Sequence, residues 1–337
     1  MSILITIVIY KNYIISYQRI NHKLHSKFKI SRGTKSTVKT LFILAKKNDY
    51  TGCGECVEYK RYNENLKDIT SYIKKTLVIN DISKIKSLSL QAALQNALLD
   101  VKIQKSTKNY LSFLKLKKKY ETFITLPIQS IQEIKIKKNI IRKLKLIKIK
   151  LNEKNVLKIL NLIKLFNSKA KIIIDANEGW SFHFLKKNIK KLENYNILFI
   201  EQPLKAGYQK KLKKVKTKIP FCADEDFYHN KKFDYKVYKW VNLKIDKFGC
   251  DRNIFSAIRL CKKYKLNIML GCMVSSSLSI IPILRYARYS NFLDLDGAKF
   301  LKKDYENKIK YKNNFIHLNS SFAWGKKKAR QRRAFNF

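Results

Sequence analysis

The 337-residue sequence is poor in the residues that interrupt regular structure. It contains nine Gly and four Pro, and no Ser/Gly-rich or Pro-rich tract marks a linker. This scarcity excludes a set of small modules on long flexible linkers. Because 45% of the residues are hydrophobic, the chain can bury a large core and is long enough for two domains.

Cysteine is also sparse. Six cysteines are too few to staple a chain of this length, so we expect free thiols and a cytoplasmic protein. Cys53 and Cys56 match a C-x-x-C pattern, but no second pair lies at zinc-site spacing. The flanking residues look like a turn, and we interpret the pattern as a coincidence.

Long apolar runs are missing. The N-terminal segment MSILITIVIY is interrupted by Lys11, well short of the roughly 20 residues that a membrane span requires. It also lacks the basic start and the small-residue cleavage site of a signal peptide. We therefore predict a first β-strand there and no membrane partner.

Acidic residues are few. The 24 Asp and Glu face 73 Lys and Arg, for a formal net charge of +49. Such a balance suggests phosphate binding, but the lysines are spread over nearly every segment instead of clustering on one face. We expect no specific nucleic-acid partner. Two interpretations of the tail Lys326–Arg333 remain: a solvated basic tail or a nucleic-acid contact.

What the sequence does contain is a repeat of short apolar runs that end in polar residues. The runs are FITLP near Thr125, LIKIK ending at Lys150, KIIID at Asp175, ILFIE at Glu201, IPFCAD at Asp224, WVNLK at Lys244, LNIMLG near Leu270 and NFLDLD from Asp294. By subtraction, these positions recur every 20 to 26 residues. Lys-rich segments with helical spacing lie between them, for example at 155–166 and 253–264. This pattern predicts an α/β fold, a (β/α)8-type barrel, whose active site lies where the strands end.

The front of the chain does not follow this period. Strand-like segments and an amphipathic helix at 87–105 predict an α+β capping domain over residues 1–118. The barrel then spans residues 119–300. We expect residues 301–337 to return to the capping domain and to end in the basic tail.

Three acidic residues end three successive predicted strands: Asp175, Glu201 and Asp224. Because neighbouring strands lie about 5 Å apart, these side chains can converge on one ion. Hard oxygen ligands with open positions favour Mg²⁺. A single acid at a strand end is more often a helix cap or a loop residue, but three in register predict a metal site.

Lysines flank the acids. Lys148 and Lys150 are two residues apart on the preceding strand, so both point into the barrel, and Lys244 ends the strand that follows the acids. In so basic a chain, one K-x-K pair carries no information by itself. A lysine near another cation and Mg²⁺ would have a lowered pKa and could act as a base near neutral pH.

Several ordered motifs resemble the enolase superfamily, within it the muconate-lactonizing subgroup, and there most closely the dipeptide epimerases that act on L-Ala-D/L-Glu. In the barrel they are KIK at 148–150, DANEGW at 175–180, EQPLKAG at 201–207, CADED at 222–226, VNLKIDKFG at 241–249 and DLDG at 294–297. In the front domain they are FKISRG at 28–33, TGCGECVEYKRYNE at 51–64 and LQNALLD at 94–100. The resemblance implies a (β/α)7β barrel with a capping domain.

The resemblance also implies a reaction. The three strand-end acids would hold Mg²⁺, which binds the substrate carboxylate and stabilises an enediolate. Lys150 and Lys244 would stand on opposite faces of the α-carbon, one removing its proton and the other returning one. Lys148 would assist by its charge. The substrate would be a dipeptide such as L-Ala-D/L-Glu from murein recycling.

Further residues are expected to bind that dipeptide. Asp294 and Asp296 match the D-x-D element that pairs with the free ammonium. Arg32 and Lys29, expected on a loop after the first strand, would cap the substrate and meet its second carboxylate. Two serines after the seventh strand, Ser275 and Ser276, would line the pocket.

Two alternatives remain. One keeps the fold but changes the reaction to o-succinylbenzoate synthesis or cycloisomerisation, on substrates without an amine. The other is a basic nucleic-acid-binding protein that uses the barrel as a scaffold, because fold likeness alone does not establish function. A homo-oligomer is compatible with each of these hypotheses.

Overall fold

The front of the chain forms a four-stranded antiparallel sheet in the order β1-β2-β3-β4. Its strands are β1 (Ile5–Tyr10), β2 (Tyr13–Ile30), β3 (Gly33–Lys47) and β4 (Tyr50–Val57). The helices that follow are α1 (Leu66–Lys75), α2 (Leu88–Lys105) and α3 (Tyr110–Phe113), with single 3-10 turns at Lys60–Tyr62 and Ile82–Lys84. The computed structural model describes residues 5–10, 12–75, 81–229, 233–321 and 324, and the basic tail lies outside them.

Helix α2 packs closely on β4 because β4 carries glycine where the two backbones meet. A Cβ at Gly54 would stand 2.1 Å from the carbonyl oxygen of Ala93, so only glycine fits there. The turn expected around Cys53 and Cys56 is wrong, since both residues belong to β4. Cys53 joins the main hydrophobic core and Cys56 the core of the front domain.

Strands β2 and β3 form a long hairpin that reaches the barrel. The loop expected at Lys29 and Arg32 is wrong in extent, because β2 continues to Ile30 and only a tight turn precedes β3. At this turn, the Ser31 hydroxyl donates a hydrogen bond to the carbonyl of Ala176 at 2.6 Å. The hairpin tip therefore lies over the carboxyl end of a barrel strand.

Strand β5 (Lys119–Glu121) precedes an eight-stranded parallel sheet. The strands of this sheet are β6 (Ile124–Leu126), β7 (Leu146–Lys150), β8 (Lys171–Asp175), β9 (Ile197–Glu201), β10 (Phe221–Ala223), β11 (Trp240–Lys244), β12 (Asn267–Gly271) and β13 (Phe292–Asp294). Between the first and last strands, the amide of Phe123 donates to the carbonyl of Leu293 at 2.9 Å. The predicted barrel is confirmed, with each strand at its expected place.

Helices follow most of these strands. They are α4 (Ile131–Ile136), α5 (Lys138–Ile141), α6 (Val156–Phe166), α7 (Phe182–Leu192), α8 (Gln209–Leu212), α9 (Glu225–His229), α10 (Ile245–Phe248), α11 (Asp251–Lys263) and α12 (Ser277–Ile280), with 3-10 segments at Ile281–Tyr289 and Gly297–Phe300. The two helices predicted from apolar spacing correspond to α6 and α11. Across the described ranges, no helix is both long and apolar enough to cross a membrane.

The barrel interior is layered. Its lower layer is an apolar cluster of Phe123, Leu146, Ile173, Phe199, Cys222 and Met269. Because side chains alternate along a strand, the residue two positions further on points into the same interior. On β7, β8, β9 and the segment that ends β10, that next residue is Lys or an acid. The strand period thus places charge directly above the apolar layer, at the carboxyl end of the barrel.

The C-terminal segment joins both parts of the molecule. Strands β14 (Lys310–Lys312) and β15 (Phe315–His317) extend β5 into a three-stranded antiparallel sheet. The indole nitrogen of Trp324 donates to the carbonyl of Cys53 at 2.9 Å. These contacts agree with a return to the front domain, while domain limits at residues 118 and 300 remain a prediction.

Candidate active site

A cavity of about 430 Å³ lies between the carboxyl ends of the barrel strands and the front domain. This volume falls within the roughly 300–1,000 Å³ typical of small-molecule sites. Lys148, Lys150, Asp224 and Lys244 line its barrel side. The structure therefore brings the three predicted catalytic lysines to one cavity.

Lys148 is the most enclosed of these lysines. Its Nζ lies 3.1 Å from Asp175, 2.7 Å from Glu201 and 2.8 Å from Asp294. Burial opposes its charge, but attraction by the three carboxylates outweighs burial and raises its pKa above the usual range. Lys148 is held as an ammonium at the centre of the acidic cluster.

Lys150 and Lys244 stand on β7 and β11, separated by the three strands that lead to the acids. Lys150 Nζ donates to Asp175 Oδ2 at 2.7 Å and to Asn177 Oδ1 at 3.0 Å. Lys244 Nζ donates to Asp224 Oδ2 at 2.9 Å. Burial disfavours the Lys244 charge, yet Asp224 and Glu201 raise its pKa. Each lysine is paired with a different acid on its own side of the cavity.

The three strand-end acids are buried, at 1% exposure for Asp175, 0% for Glu201 and 2% for Asp224. Burial would raise their pKa values, but nearby ammonium groups hold the pKa of Asp175 and of Asp224 below the usual range. Glu201 behaves oppositely, because burial and the negative charge of Asp175 raise its pKa to about 7. Glu201 is therefore the acid that a proton occupies most readily.

The chemistry of these acids suits a hard divalent cation, since all the donors are carboxylate oxygens. One of them, Oε2 of Glu201, is buried and accepts no well-angled hydrogen bond from the described residues, although Lys148 Nζ stands 2.7 Å away. In the arrangement described, with lysines bound to these acids, no group of three His, Cys, Asp or Glu side chains among the described residues is already set to hold a metal ion. Lysine ammoniums lie between the acids and contribute the positive charge in this structure.

Asp294 and Asp296 lie at the end of β13 and line the same cavity. Asp294 accepts from Lys148, while Asp296 accepts from the Thr125 amide at 2.6 Å and the Thr125 hydroxyl at 2.9 Å. Burial and the charge of Asp294 raise the pKa of Asp296 to about 6. Two carboxylates thus line the cavity at the end of β13, and of the two only Asp294 forms an ion pair with the described residues.

Of the other predicted binding residues, Arg32 alone reaches the cavity. Its guanidinium contacts Glu178 and Glu225, each at 2.8 Å. Lys29 is exposed and lines a separate depression between the hairpin and the segments that follow β6 and β7. Ser275 and Ser276 are fully buried away from the cavity. Ser276 caps α12 and its amide donates to Glu55 at 3.0 Å, which is a structural role.

Several residues in the site were missed from the sequence. Asn242 donates to Glu201 Oε1 at 2.7 Å, and Lys247 contacts Asp224 and the Tyr62 hydroxyl. Asn242 lies two residues before Lys244, so the strand period could have identified it. Lys247 has no such signal, because its position depends on the short helix α10. Burial lowers the Lys247 pKa more than Asp224 raises it.

A glycine makes room for this arrangement. A Cβ at Gly271 on β12 would stand 2.2 Å from Asn242 Oδ1 and 2.9 Å from Lys244 Cε. Any side chain at this position would displace the amide that binds Glu201 or the lysine that faces the cavity. The absence of a side chain is therefore part of the site's geometry.

A (β/α) barrel with a capping domain and an acid–lysine cluster at its carboxyl end defines a class of proteins. The family described as Enolase C-terminal domain-like matches residues 134–320. That range is more than half of the chain, and the chain belongs to this family. The resemblance found in the sequence is thereby confirmed.

Relatives of known activity cover most of the chain. An N-acetyl-D-glutamate racemase from Pseudoalteromonas sp is 30% identical over 298 residues, which cover 84% of this chain and 94% of the relative. An L-Ala-D/L-Glu epimerase from Escherichia coli (strain K12) is 27% identical over 310 residues, covering 88% and 96%. Both relatives are isomerases, and the prediction of an isomerase is confirmed at that level.

A solved structure shows the same architecture. An enolase family member from Agrobacterium tumefaciens, with homology to dipeptide epimerases, aligns with a TM-score of 0.84 and 25% identity. The alignment covers 93% of this chain and 100% of that one. That protein was solved with bound sodium and L-Ala-L-Glu.

Proposed function

We propose that this protein is a dipeptide epimerase that inverts the α-carbon of the C-terminal residue of a dipeptide such as L-Ala-D/L-Glu, by proton transfer between two lysines. The observation that carries the proposal is the placement of Lys150 and Lys244 in one cavity, on strands separated by those that lead to the three acids. Inversion requires a proton donor and a proton acceptor on opposite faces of one carbon.

In the forward direction, one lysine is neutral and removes the α-proton, while the other is an ammonium and delivers a proton to the opposite face. The two lysines exchange protonation states, so the reverse reaction uses the same groups in exchanged roles. Lys148 does not need to transfer a proton, because its ammonium is held among Asp175, Glu201 and Asp294. Its fixed charge attracts the substrate carboxylate.

Asp175, Glu201 and Asp224 would hold Mg²⁺. The bound ion would supply Lewis-acid stabilisation of negative charge on the substrate carboxylate, which makes the α-proton easier to remove. Asn242 orients Glu201 through the hydrogen bond to Oε1. The lysine ammoniums that now neutralise the acids and a divalent ion would compete for the same oxygens.

Asp294 and Asp296 are proposed to recognise the free ammonium of the dipeptide. Both carboxylates line the cavity, and Thr125 fixes the orientation of Asp296. A dipeptide bound in this way would place its amine at the end of β13 and its reacting carbon between the lysines. The cellular role in murein peptide recycling and a cytoplasmic location belong to the same proposal.

Proton exchange tests the reaction directly. L-Ala-L-Glu incubated in D₂O with Mg²⁺ and the protein should lose its Glu α-proton signal in ¹H NMR and accumulate L-Ala-D-Glu. The matched control is Asp296→Asn, which keeps the size of the side chain but removes its charge. Absence of exchange with any Ala-led or Lys-led dipeptide would end the proposal.

A second candidate is racemisation of an N-acyl amino acid, which the 30%-identical N-acetyl-D-glutamate racemase favours. The lysines and the acids would act in the same way, but the substrate carries no ammonium. Asp296→Asn should therefore leave exchange of N-acetyl-glutamate intact and weaken exchange of the dipeptide. Measuring exchange of both substrates with the wild type and with Asp296→Asn therefore separates the two candidate functions.

A further inference from the structure

The front-domain wall of the cavity carries more positive than negative charge. Its cationic lining residues are Arg32, Lys35, Lys60 and Arg61, and the acid among its lining residues is Glu58. The Glu58 carboxylate accepts from the amide of Leu66 at 3.4 Å, at the start of α1. This wall differs from the β13 side of the cavity, where Asp294 and Asp296 place negative charge. The cavity therefore matches a ligand with a cationic end and an anionic end.

Arg61 is the cation of this wall with the clearest geometry for a carboxylate. It lies in the 3-10 turn Lys60–Tyr62, and its side chain is 38% exposed. Its Nη2 donates to Glu178 Oε1 at 3.0 Å and its Nε to Glu178 Oε2 at 3.3 Å. This bidentate contact shows that the guanidinium is placed to bind a carboxylate at the entrance to the cavity.

Arg61 also keeps a donor for a ligand. Its Nη1 has no hydrogen-bond partner among the residues that the structure describes. The carboxylate of Glu178 is shared, because Arg32 Nη1 donates to its Oε2 at 2.8 Å. One acid thus serves two guanidinium groups, and Arg32 is further occupied by Glu225. Of the two guanidinium groups, that of Arg61 is therefore the better placed to bind a second anion.

We infer that Arg61 determines specificity for an acidic side chain on the residue whose α-carbon is inverted. This inference rests on the proposed function and deepens it. With the substrate amine at Asp294 and Asp296 and its reacting carbon between Lys150 and Lys244, an acidic side chain extends toward the front-domain wall. There Arg61 donates to it through Nη1, and Lys35 and Lys60 add attraction at longer range.

The test compares two substrates of nearly equal shape and different charge, L-Ala-L-Glu and L-Ala-L-Gln. The kcat/KM of each is measured by α-proton exchange in D₂O with wild type, Arg61→Gln and Arg61→Lys. We expect Arg61→Gln to lower kcat/KM for L-Ala-L-Glu by about tenfold and to leave L-Ala-L-Gln unchanged, since a partly exposed charged hydrogen bond is worth about that factor. Arg61→Lys should restore part of the loss, because it keeps the charge but not the planar pair of donors.

The ratio of the two substrates separates specificity from structure. Loss of the contact with Glu178 alone would lower both kcat/KM values together, which would overturn the inference. Lys67→Gln is the charge control, because Lys67 is exposed on α1 and does not line the cavity. This variant should leave both kcat/KM values unchanged. If it shifts the ratio of the two values as much as Arg61→Gln does, the inference is also overturned. If wild type exchanges neither dipeptide, the proposed function itself has failed.

Discussion

Replacement of one of the two lysines proposed to transfer protons should split the reaction into its two halves. In Lys244→Met, the base on the other side of the carbon, Lys150, remains. Starting from the epimer whose α-proton faces Lys150, exchange with D₂O should continue; starting from the other epimer, it should stop. Net epimerisation needs both lysines, and loss of one acid–base group lowers it by about 10²–10⁴-fold.

The structure indicates that this variant will fold. Removing one member of a buried ion pair typically costs about 3–5 kcal/mol, and Lys244 is 7% exposed. Here the cost should be smaller, because Lys247 still contacts Asp224 at its other oxygen. Methionine also fills most of the volume of the lysine stem, so no large cavity results. Thermal unfolding followed by circular dichroism checks this expectation.

The assay follows L-Ala-L-Glu and L-Ala-D-Glu separately by ¹H NMR in D₂O. Lys150→Met is the matched variant on β7 and should show the mirror-image result, with exchange retained for the epimer that Lys244→Met cannot process. The reasoning would be refuted if both variants, folded, lost exchange of the same epimer, or if either retained exchange of both.

Three further predictions concern the metal, pH and packing. Chelation with EDTA should abolish proton exchange and added Mg²⁺ should restore it; exchange that survives chelation would contradict a metal requirement. Burial and Asp175 raise the pKa of Glu201 to about 7. The Mg²⁺ concentration that gives half-maximal activity should therefore rise as the pH falls through about 7. Burial, Glu55 and Glu64 raise the pKa of Asp246 from 3.8 to about 7. Protonation of Asp246 therefore contributes on the order of 4 kcal/mol to the free energy of unfolding below about pH 4. This contribution is lost as the pH rises to about 7. Urea unfolding should show Asp246→Asn gaining stability relative to wild type over that interval, and a difference independent of pH would refute the assignment. Gly54→Ala should lower the free energy of unfolding by about 1–3 kcal/mol through its clash with the α2 backbone, whereas an unchanged urea midpoint would argue against that contact.

Much of the barrel could be predicted because its signals are local. A parallel strand buried on both faces is a short apolar run, and the period of two decides which residues share a face. Lys148 and Lys150 on one strand, and Asp175 and Glu201 ending the next two, therefore lie at the same end of the barrel. The front domain was harder, since β2 has a polar sequence with only every second residue buried along its central part.

The sequence by itself determined the barrel period and the acids and lysines at its strand ends, because these follow from alternation along single strands. Only the tertiary structure decided which cap residues face them. Lys247 reaches Tyr62 across 185 positions and Arg61 reaches Glu178 across 117. Such pairs form when two separately patterned domains pack together, and no spacing within either domain encodes them. For the same reason, Lys29 and Ser276 were expected at the substrate pocket from the sequence but do not line the cavity in the folded chain.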